Sequence, residues 1–335
     1  MSFKRFEADD FVVSSDAITS TLWSTDAPTL TEFYTSSVQA AGSSGNFYLS
    51  VYQTSSLTNT QFDISYADSK GSGSQDYNTV VPGKSPSLSS YGQYRALILE
   101  DENKSFTFGV DNNVLTTENF WVLSMERARY KESLFPGSLN LKLSGSNGII
   151  NLTDNSNDVL VNTFIGSSRV YQLISGSNGT AGTLANSGYV SNSGSYGLIF
   201  PELGTILLNP AAVSQSIHVE AVRTSNSTNG ANNATLYNSI VLGASFGLNS
   251  QETITSDYIF VRARNSEFNY TQNPTFISGS TGEVIYSNFI NNPQTYITSI
   301  GLYNDSNELL AITKLSRPLI KDFTKEALVR VKLDF

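Results

Sequence analysis

The stretch Ile254–Tyr270, "ITSDYIFVRARNSEFNY", decides the fold class of this chain. Its side chains alternate from Tyr258 onward, with Ile259, Val261 and Ala263 on one face. The opposite face carries aromatic and cationic side chains, namely Tyr258, Phe260, Arg262 and Arg264. A period of two residues is typical of a half-buried β-strand. The stretch therefore predicts one long strand with an apolar face.

Other strand-like runs are separated by Gly, Asn and Ser, the residues that favour turns. These runs are Gly45–Thr54 "GNFYLSVYQT", Gln61–Asp68 "QFDISYAD", Tyr94–Asp101 "YRALILED", Ser105–Val110 "SFTFGV" and Asn119–Tyr130 "NFWVLSMERARY". Tyr296–Leu315 predicts a hairpin that turns at Asn304–Asn307. The whole pattern predicts a mainly β fold with several antiparallel sheets in sandwich-like β domains and a few short helices. Asn209 and Pro210 predict the start of one such helix.

The charge content changes along the 335 residues. It falls from about Gly137 to Ser250 and rises again after Gln251. We therefore expect three domains: an N-terminal β domain (1–136), a low-charge β domain rich in Ser, Asn and Gly (137–250), and a C-terminal β domain (251–335) that ends in a paired strand.

A short echo lies in the middle segment, "LKLSGSNG" at Leu141–Gly148 and "QLISGSNG" at Gln172–Gly179. In both copies an apolar strand runs into Ser-Gly-Ser-Asn-Gly, which predicts two similar β-turns. Five shared residues are too few to define a repeat protein, so a structural duplication stays an open alternative.

The end of the chain, Lys314–Phe335 "KLSRPLIKDFTKEALVRVKLDF", carries six of the 20 Lys and Arg residues. After a turn that includes Glu326, alternate positions are apolar from Ala327 to Phe335. This pattern predicts a final strand paired beside Leu309–Lys314, with Phe335 in the core and a charged outer face. The predicted interface residues, which we expect to face solvent or a partner, are Lys321, Lys325, Arg330 and Lys332.

The composition excludes several classes of partner and chemistry. The net charge of −9 lacks the basic footprint that nucleic acid requires. The chain has no cysteine, which removes disulfides and thiolate chemistry. Its N-terminus "MSFKRFEADD" has no apolar segment typical of a secretory signal, and the sequence has no run of 18 apolar residues. We expect neither nucleic-acid binding nor membrane insertion.

The sequence offers few groups for catalysis. His218, the single histidine, lies in an apparent strand. Gly243–Gly247 matches G-x-S-x-G after the strand-like "SIVL", but no histidine follows it. Asp154, Ser156 and Asp158 have the spacing of a calcium loop without its glycine, so a weak surface cation is an alternative to a plain turn. We therefore predict no catalytic, cofactor-binding or metal-binding residue, and paired carboxylates that meet only in space stay open.

The segment "YITSIGLYNDSNELLAITKLSRP", Tyr296–Pro318, resembles a strand–turn–strand segment of virion proteins in tailed bacteriophages. Ala128–Leu143 and Phe268–Phe276 also resemble passages of large virion proteins of contractile-tailed, myovirus-like phages. The resemblance is strongest over about Ser256–Phe335. It implies a structural subunit of the tail or baseplate, assembled in the host cytoplasm and carried in the virion, and it supplies no catalytic residue.

We therefore expect a non-enzymatic structural subunit, a wedge-type baseplate or tail component that acts through protein–protein interfaces with other virion subunits and copies of itself. Low surface charge suits such permanent interfaces. One alternative is a receptor-binding or fibre-attachment, lectin-like module, and another is a neck or capsid-associated structural protein. Trp23 and Trp121 lie inside apolar patterns, which favours the core over sugar stacking for both.

Overall fold

The computed structural model describes residues 4–35, 48–74, 85–158, 163–182, 185–223, 231–270 and 273–334. Two compact units are present. The large unit comprises residues 18–252, and the C-terminal unit comprises residues 1–17 and 253–335. The fold is mainly β, with antiparallel sheets and a few short helices, which confirms the predicted fold class.

Strands and helices are numbered in chain order. Strands β1 to β21 are Phe11–Thr21, Thr29–Leu30, Tyr34–Thr35, Leu49–Tyr52, Thr60–Asp68, Phe106–Val110, Asn113–Thr117, Asn119–Met125, Ser133–Leu134, Asn140–Gly145, Gly148–Asp154, Thr163–Ile165, Ser168–Ser177, Thr180–Ala181, Gly197–Phe200, Thr205–Leu208, Phe246–Gly247, Asn249–Ala263, Thr295–Tyr303, Leu309–Lys321 and Ala327–Asp334. Helices α1 to α4 are Pro86–Tyr94, Pro210–Ile217, Ala231–Gly243 and Ser287–Asn291.

One sheet of 13 strands organises the large unit. Its order is β2-β17-β10-β11-β13-β15-β16-β8-β5-β4-β3, and β12 and β14 pair with β13. Strand β8 joins the two halves of the sequence, because it pairs with β5 on one side and with β16 on the other. The expected domain boundary near residue 137 therefore does not separate two units, because the same sheet contains strands from both sides of that residue.

The central strand β8 is buried on both faces. Trp121 and Leu123 point into one core, and Phe120 and Val122 point into a second core on the opposite face. Alternate side chains of a strand lie on opposite faces, so an almost continuous apolar run suits this position. Trp23 shares the first core, which confirms the core placement of both tryptophans.

The predicted strand at Tyr94–Asp101 is wrong, because α1 continues there into a π-helical turn over Arg95–Leu99. Pro86 starts the helix at its first position, and Glu100 ends it in the left-handed region at φ 55°. Ile98 is buried against the second core. A short apolar run does not by itself distinguish a strand from a buried helix.

Helix α2 begins as predicted, with the Asn209 side chain accepting a hydrogen bond from the Ala211 amide at 3.1 Å. The predicted strand around His218 is wrong, because α2 runs to Ile217 and His218 caps it at φ 55°. The prediction of a strand at "SIVL" is also wrong, since these residues lie in helix α3. Pro210 at the first helical position favours a helix here, although the β-branched residues that follow would favour a strand.

Each copy of the echo forms a two-residue hairpin. In the first, Gly145 pairs with Gly148 across the turn. In the second, Ser177 pairs with Thr180, and the turn lies one residue later in the motif. The hairpins meet where the Asn140 side chain donates to the Asn178 side chain at 2.8 Å. The two predicted turns are thus confirmed.

A small sandwich forms the core of the C-terminal unit, with β18 and β21 of the β1-β18-β21 sheet on one side and the β19–β20 hairpin on the other. Strand β21 pairs with β18 from Ala263↔Ala327 to Ser256↔Asp334. Hairpin β19–β20 places Leu302 and Ala311 against the inward face of that pair. The residues of this core are Phe6, Ile259, Val261, Ile300, Leu302, Ala311, Val331 and Leu333.

The burial of β21 alternates along the strand, as its sequence predicts. Its predicted partner is wrong, because β21 pairs with β18 rather than with Leu309–Lys314, which pairs with β19. Alternation specifies which face is buried but not which strand lies alongside. Phe335, which we expect in the core, lies outside the described residues.

Candidate interaction surface

The outward face of the β18–β21 pair carries aromatic and cationic side chains in opposite positions. Tyr258 lies opposite Lys332, Phe260 lies opposite Arg330, and Arg262 lies opposite Leu328. We call these six residues the cationic face. These residues alternate along the strands with the buried residues Ile259, Ala263, Ala327 and Val331. Because successive side chains of a strand point to opposite faces, the cationic face points away from the core.

Tyr258 holds two cations of this face in place. The guanidinium carbon of Arg330 lies 5.4 Å from the Tyr258 ring centroid, and Lys332 Nζ lies 5.9 Å from it. Cations at this distance are attracted to the face of the ring. The cations are therefore oriented before any partner arrives, which lowers the entropy lost on binding.

The two cations differ in how far they are neutralised. Lys332 Nζ forms an ion pair with Asp334 at 2.8 Å, and this hydrogen-bonded partner raises the pKa of Lys332. Arg330 and Arg262 have no carboxylate within ion-pair distance among the described residues. The two arginines thus contribute the unpaired positive charge of the face.

Of the four predicted interface residues, Arg330 and Lys332 lie together on the cationic face. Lys325 is exposed in the turn before β21 and pairs with Asp322, with Nζ and Oδ2 3.5 Å apart. This turn is organised by Asp322, whose pKa is lowered chiefly by the hydrogen bonds from Thr324. Lys325 is therefore a separate surface charge.

The prediction that Lys321 is exposed is wrong, because its exposure is 0%. Its ammonium donates to Asn269 Oδ1 at 2.8 Å and to the carbonyl oxygens of Asn265 at 2.9 Å and Asp322 at 3.0 Å. Three acceptors satisfy all three N–H groups, which is the condition for burying a lysine. Lys321 thus ties the end of β20 to the loop after β18.

Hairpin β19–β20 exposes large apolar side chains on its outer side, and none of them is among the predicted interface residues. Leu310 is 68% exposed and Ile312 is 66% exposed. Ile312 pairs with Gly301 and points away from the core that its neighbour Ala311 enters. We call Leu310, Ile312 and Lys314 the hairpin face.

The sequence does contain a signal for the hairpin face. Leu309-Leu310 and Leu319-Ile320 are apolar doublets, and adjacent residues of a strand point to opposite faces. A strand that carries such doublets has apolar side chains on both sides. Strand β1 shows the same feature at Phe11, Val12 and Val13, all of which are exposed.

The residues examined for catalysis do not assemble into a site. His218 is exposed, and its Nδ1 lies 3.8 Å from Glu220. Ser245 follows helix α3 and precedes β17, the reverse of the strand–turn–helix order around a hydrolase serine. The buried Asp154 carboxylate accepts from the amides of Gly137 and Ser156. Within the described ranges, no three His, Asp or Glu side chains cluster as metal ligands would.

No family model, no curated protein and no solved structure matches this chain. Among the helices of the described residues, none is both long and apolar enough to cross a membrane.

Proposed function

We propose that this protein is a structural subunit of a bacteriophage virion, a wedge-type baseplate or tail component of a contractile-tailed phage. It acts through protein–protein interfaces rather than through catalysis. The observation that carries the proposal is the pair of exposed faces on the C-terminal unit, the cationic face and the hairpin face.

The two faces lie on opposite sides of the small sandwich, because the β18–β21 pair and the β19–β20 hairpin share the core between them. Arginine and aromatic residues, which dominate the cationic face, are enriched in interfaces. The hairpin face is aliphatic, and a two-stranded hairpin is only marginally stable in water on its own. A neighbour that covers Leu310 and Ile312 adds the apolar burial that the hairpin lacks.

Two faces of different chemistry favour at least two different neighbours. We expect an acidic subunit surface on the cationic face and an apolar surface on the hairpin face, each interface above about 1,000 Å². One of these neighbours is a second copy of this chain, since assemblies commonly repeat one subunit around a symmetry axis.

The resemblance of Tyr296–Pro318 to strand–turn–strand segments of phage tail proteins supports a role in the tail or baseplate. That segment contains the whole hairpin face. The cysteine-free, charge-poor composition suits assembly in the host cytoplasm followed by permanent burial in the particle.

The proposal is tested by locating the protein in purified phage particles. An epitope inserted after Asn103, in an exposed turn of the large unit, is labelled with gold-conjugated antibody and imaged. We expect label at the tail end that carries the baseplate, in several copies per particle. Untagged particles are the control. Label confined to the capsid or absent from intact particles contradicts the proposal.

A further inference from the structure

A cleft of about 680 Å³ opens in the large unit. Strand β11 contributes Ile149–Asn151, strand β13 contributes Ser175–Ser177, and helix α2 contributes Gln215 and Ser216. The segment from Asn186 to Val190 forms a further wall. The volume lies within the range of roughly 300–1,000 Å³ that is usual for small-molecule sites.

Uncharged groups line this cleft throughout. Each of its 13 lining residues is apolar or carries an amide, a hydroxyl or no side chain. On a chain with a net charge of −9, a lining without any carboxylate or ammonium is a distinct local feature. Such a lining offers no counter-charge to an ionic ligand and many hydrogen-bonding groups to a neutral polar one.

Two tyrosine rings in the lining are fixed by their own hydroxyl groups. The Tyr189 hydroxyl accepts from Asn155 Nδ2 at 3.1 Å, and the Tyr196 hydroxyl shares a hydrogen bond with Ser216 Oγ at 2.6 Å. Tyr196 is buried, whereas Tyr189 is half-buried and keeps part of its ring accessible. The Tyr189 ring is thus a preorganised apolar surface within an uncharged cleft.

Three amides around the ring are available for a ligand. The side chains of Asn151 and Asn186 are exposed and make no hydrogen bond to another described residue. Gln215 accepts from the Ser193 hydroxyl at 2.8 Å through Oε1, which orients its NH₂ group. Each amide can donate to a hydroxyl oxygen, and the two asparagines can also accept from a hydroxyl.

The wall beside Tyr189 is held in an uncommon backbone conformation. Asn186 and Ser187 have φ values of 58° and 49°, and Gly188 follows at 83°. Left-handed conformations cost energy for residues other than glycine, and they concentrate at sites that clamp ligands. The next hydrogen bond, from the Tyr189 amide to the Asn186 carbonyl at 2.9 Å, closes the turn and sets the position of the ring.

We infer that this cleft binds a neutral saccharide. A sugar ring presents hydroxyl groups that both donate and accept, which match Asn151, Asn186 and Gln215, and a C–H face that packs on the Tyr189 ring. Ser175–Ser177, which belong to the second copy of the echoed motif, form part of the cleft wall. This inference is independent of the position of the subunit in the virion.

The experiment is a glycan-array screen of the full chain, followed by calorimetric titration with the neutral glycan that gives the strongest signal. The matched variants are Asn151→Ala and Gln215→Ala, both at exposed positions in the cleft, and Asn103→Ala, an exposed amide outside it. We expect each cleft variant to weaken binding about tenfold, as the loss of a ligand hydrogen bond does. Asn103→Ala should bind like the unmodified chain.

Tyr189→Ala removes the ring and is checked for folding by its melting temperature. We expect it to abolish the array signal, whereas Tyr189→Phe, which keeps the ring, retains it. The inference is overturned if the array shows no neutral glycan above background, if only sulfated or sialylated glycans bind, or if Asn151→Ala and Gln215→Ala bind as tightly as Asn103→Ala.

Discussion

The guanidinium group of Arg330 lies over the ring of Tyr258, with 5.4 Å between its carbon and the ring centroid, on the neighbouring strand of the same sheet. This contact joins the last strand of the chain to the strand that sets the fold class. One face of β21 packs into the core of the C-terminal unit, and its other face forms part of the cationic face.

The cationic face should carry salt-dependent association. Replacing both unpaired arginines, in Arg262→Gln/Arg330→Gln, should leave the chain folded and reduce its incorporation into particles by about tenfold or more at low ionic strength, with a smaller effect at 0.5 M salt. Incorporation is measured by quantitative mass spectrometry of purified particles. Lys325→Gln, outside the face, is the control, and an equal loss for that variant argues against the assignment.

Lys332→Gln should have a weaker effect than the double arginine variant. Asp334 already neutralises part of the Lys332 charge at 2.8 Å, so less net charge is lost from the face. The variant should fold and assemble with a modest, salt-dependent deficit. If Lys332→Gln weakens incorporation more than Arg330→Gln, the ranking of the two cations is wrong.

Lys321 should be essential to the stability of the C-terminal unit. Lys321→Met leaves the Asn269 side chain and two backbone carbonyls without their donor, at a cost of about 2–4 kcal/mol. Faster amide hydrogen exchange across residues 295–334 measures this loss. The exposed Lys325→Met is the matched control and should exchange like the unmodified chain. Equal exchange in the two variants would show that the buried ammonium stabilises nothing.

Removal of the last strand should prevent folding of the C-terminal unit. Deleting Val331–Phe335 takes Val331 and Leu333 out of the small core and removes the β18 pairings from Ile259 to Ser256. We expect insoluble protein or soluble protein that fails to enter particles. A soluble, assembling deletion variant would mean that this end is dispensable.

Asp63 should give the large unit a pH-dependent stability. Burial raises the pKa of its carboxyl, the hydrogen bond from Ser50 opposes this, and the charge of Glu126 adds to it. A raised carboxyl pKa favours the protonated form on folding, so this stability is complete below the unfolded pKa and is lost as pH rises through the folded pKa. Asp63→Asn should therefore melt higher than the unmodified chain at pH 7.

The difference in melting temperature between Asp63→Asn and the unmodified chain should shrink between pH 7 and pH 4, because a raised pKa makes the native carboxyl take up a proton more readily than the unfolded one as the pH falls. Thermal melts at the two pH values measure it. Asp63→Ser is a useful control for the loss of side-chain packing alone. A destabilisation of Asp63→Asn that is the same at both pH values would contradict the raised pKa.

His218 should be dispensable for infection. It is 53% exposed at the end of α2 and touches only Glu220 among charged groups of the described chain. His218→Gln should leave plaque titre almost unchanged, with a small loss of melting temperature from its left-handed position. A drop of several orders of magnitude with normal assembly would revive a catalytic role.

For β18 and β21 the sequence predicted which residues are buried but not that the two strands pair, whereas it did predict the β19–β20 hairpin. Alternation in Tyr258–Ala263 and Ala327–Asp334 indicates a buried and an open face for each strand, and the register between them depends on contacts distant in sequence. The predicted exposure of Lys321 was wrong because β20 extends to this residue. Its ammonium is surrounded there by three oxygen acceptors, from Asn265, Asn269 and Asp322. No local pattern reports such convergence.

The cleft was beyond prediction for the same reason, since its walls come from two hairpins, a helix and a turn. Helix α2 was predictable, because Asn209 and Pro210 form a local start signal. The π-helical turn after α1 was not, because the apolar run Ala96–Leu99 satisfies both helix and strand patterns.

A cryo-electron microscopy map of the intact tail would show whether the C-terminal unit joins this subunit to at least two neighbours in the virion. We predict that the cationic face and the hairpin face are both covered, each within an interface above about 1,000 Å². An acidic surface should oppose Arg330. A map in which both faces are open to solvent, or in which the chain is absent from the particle, would contradict this prediction.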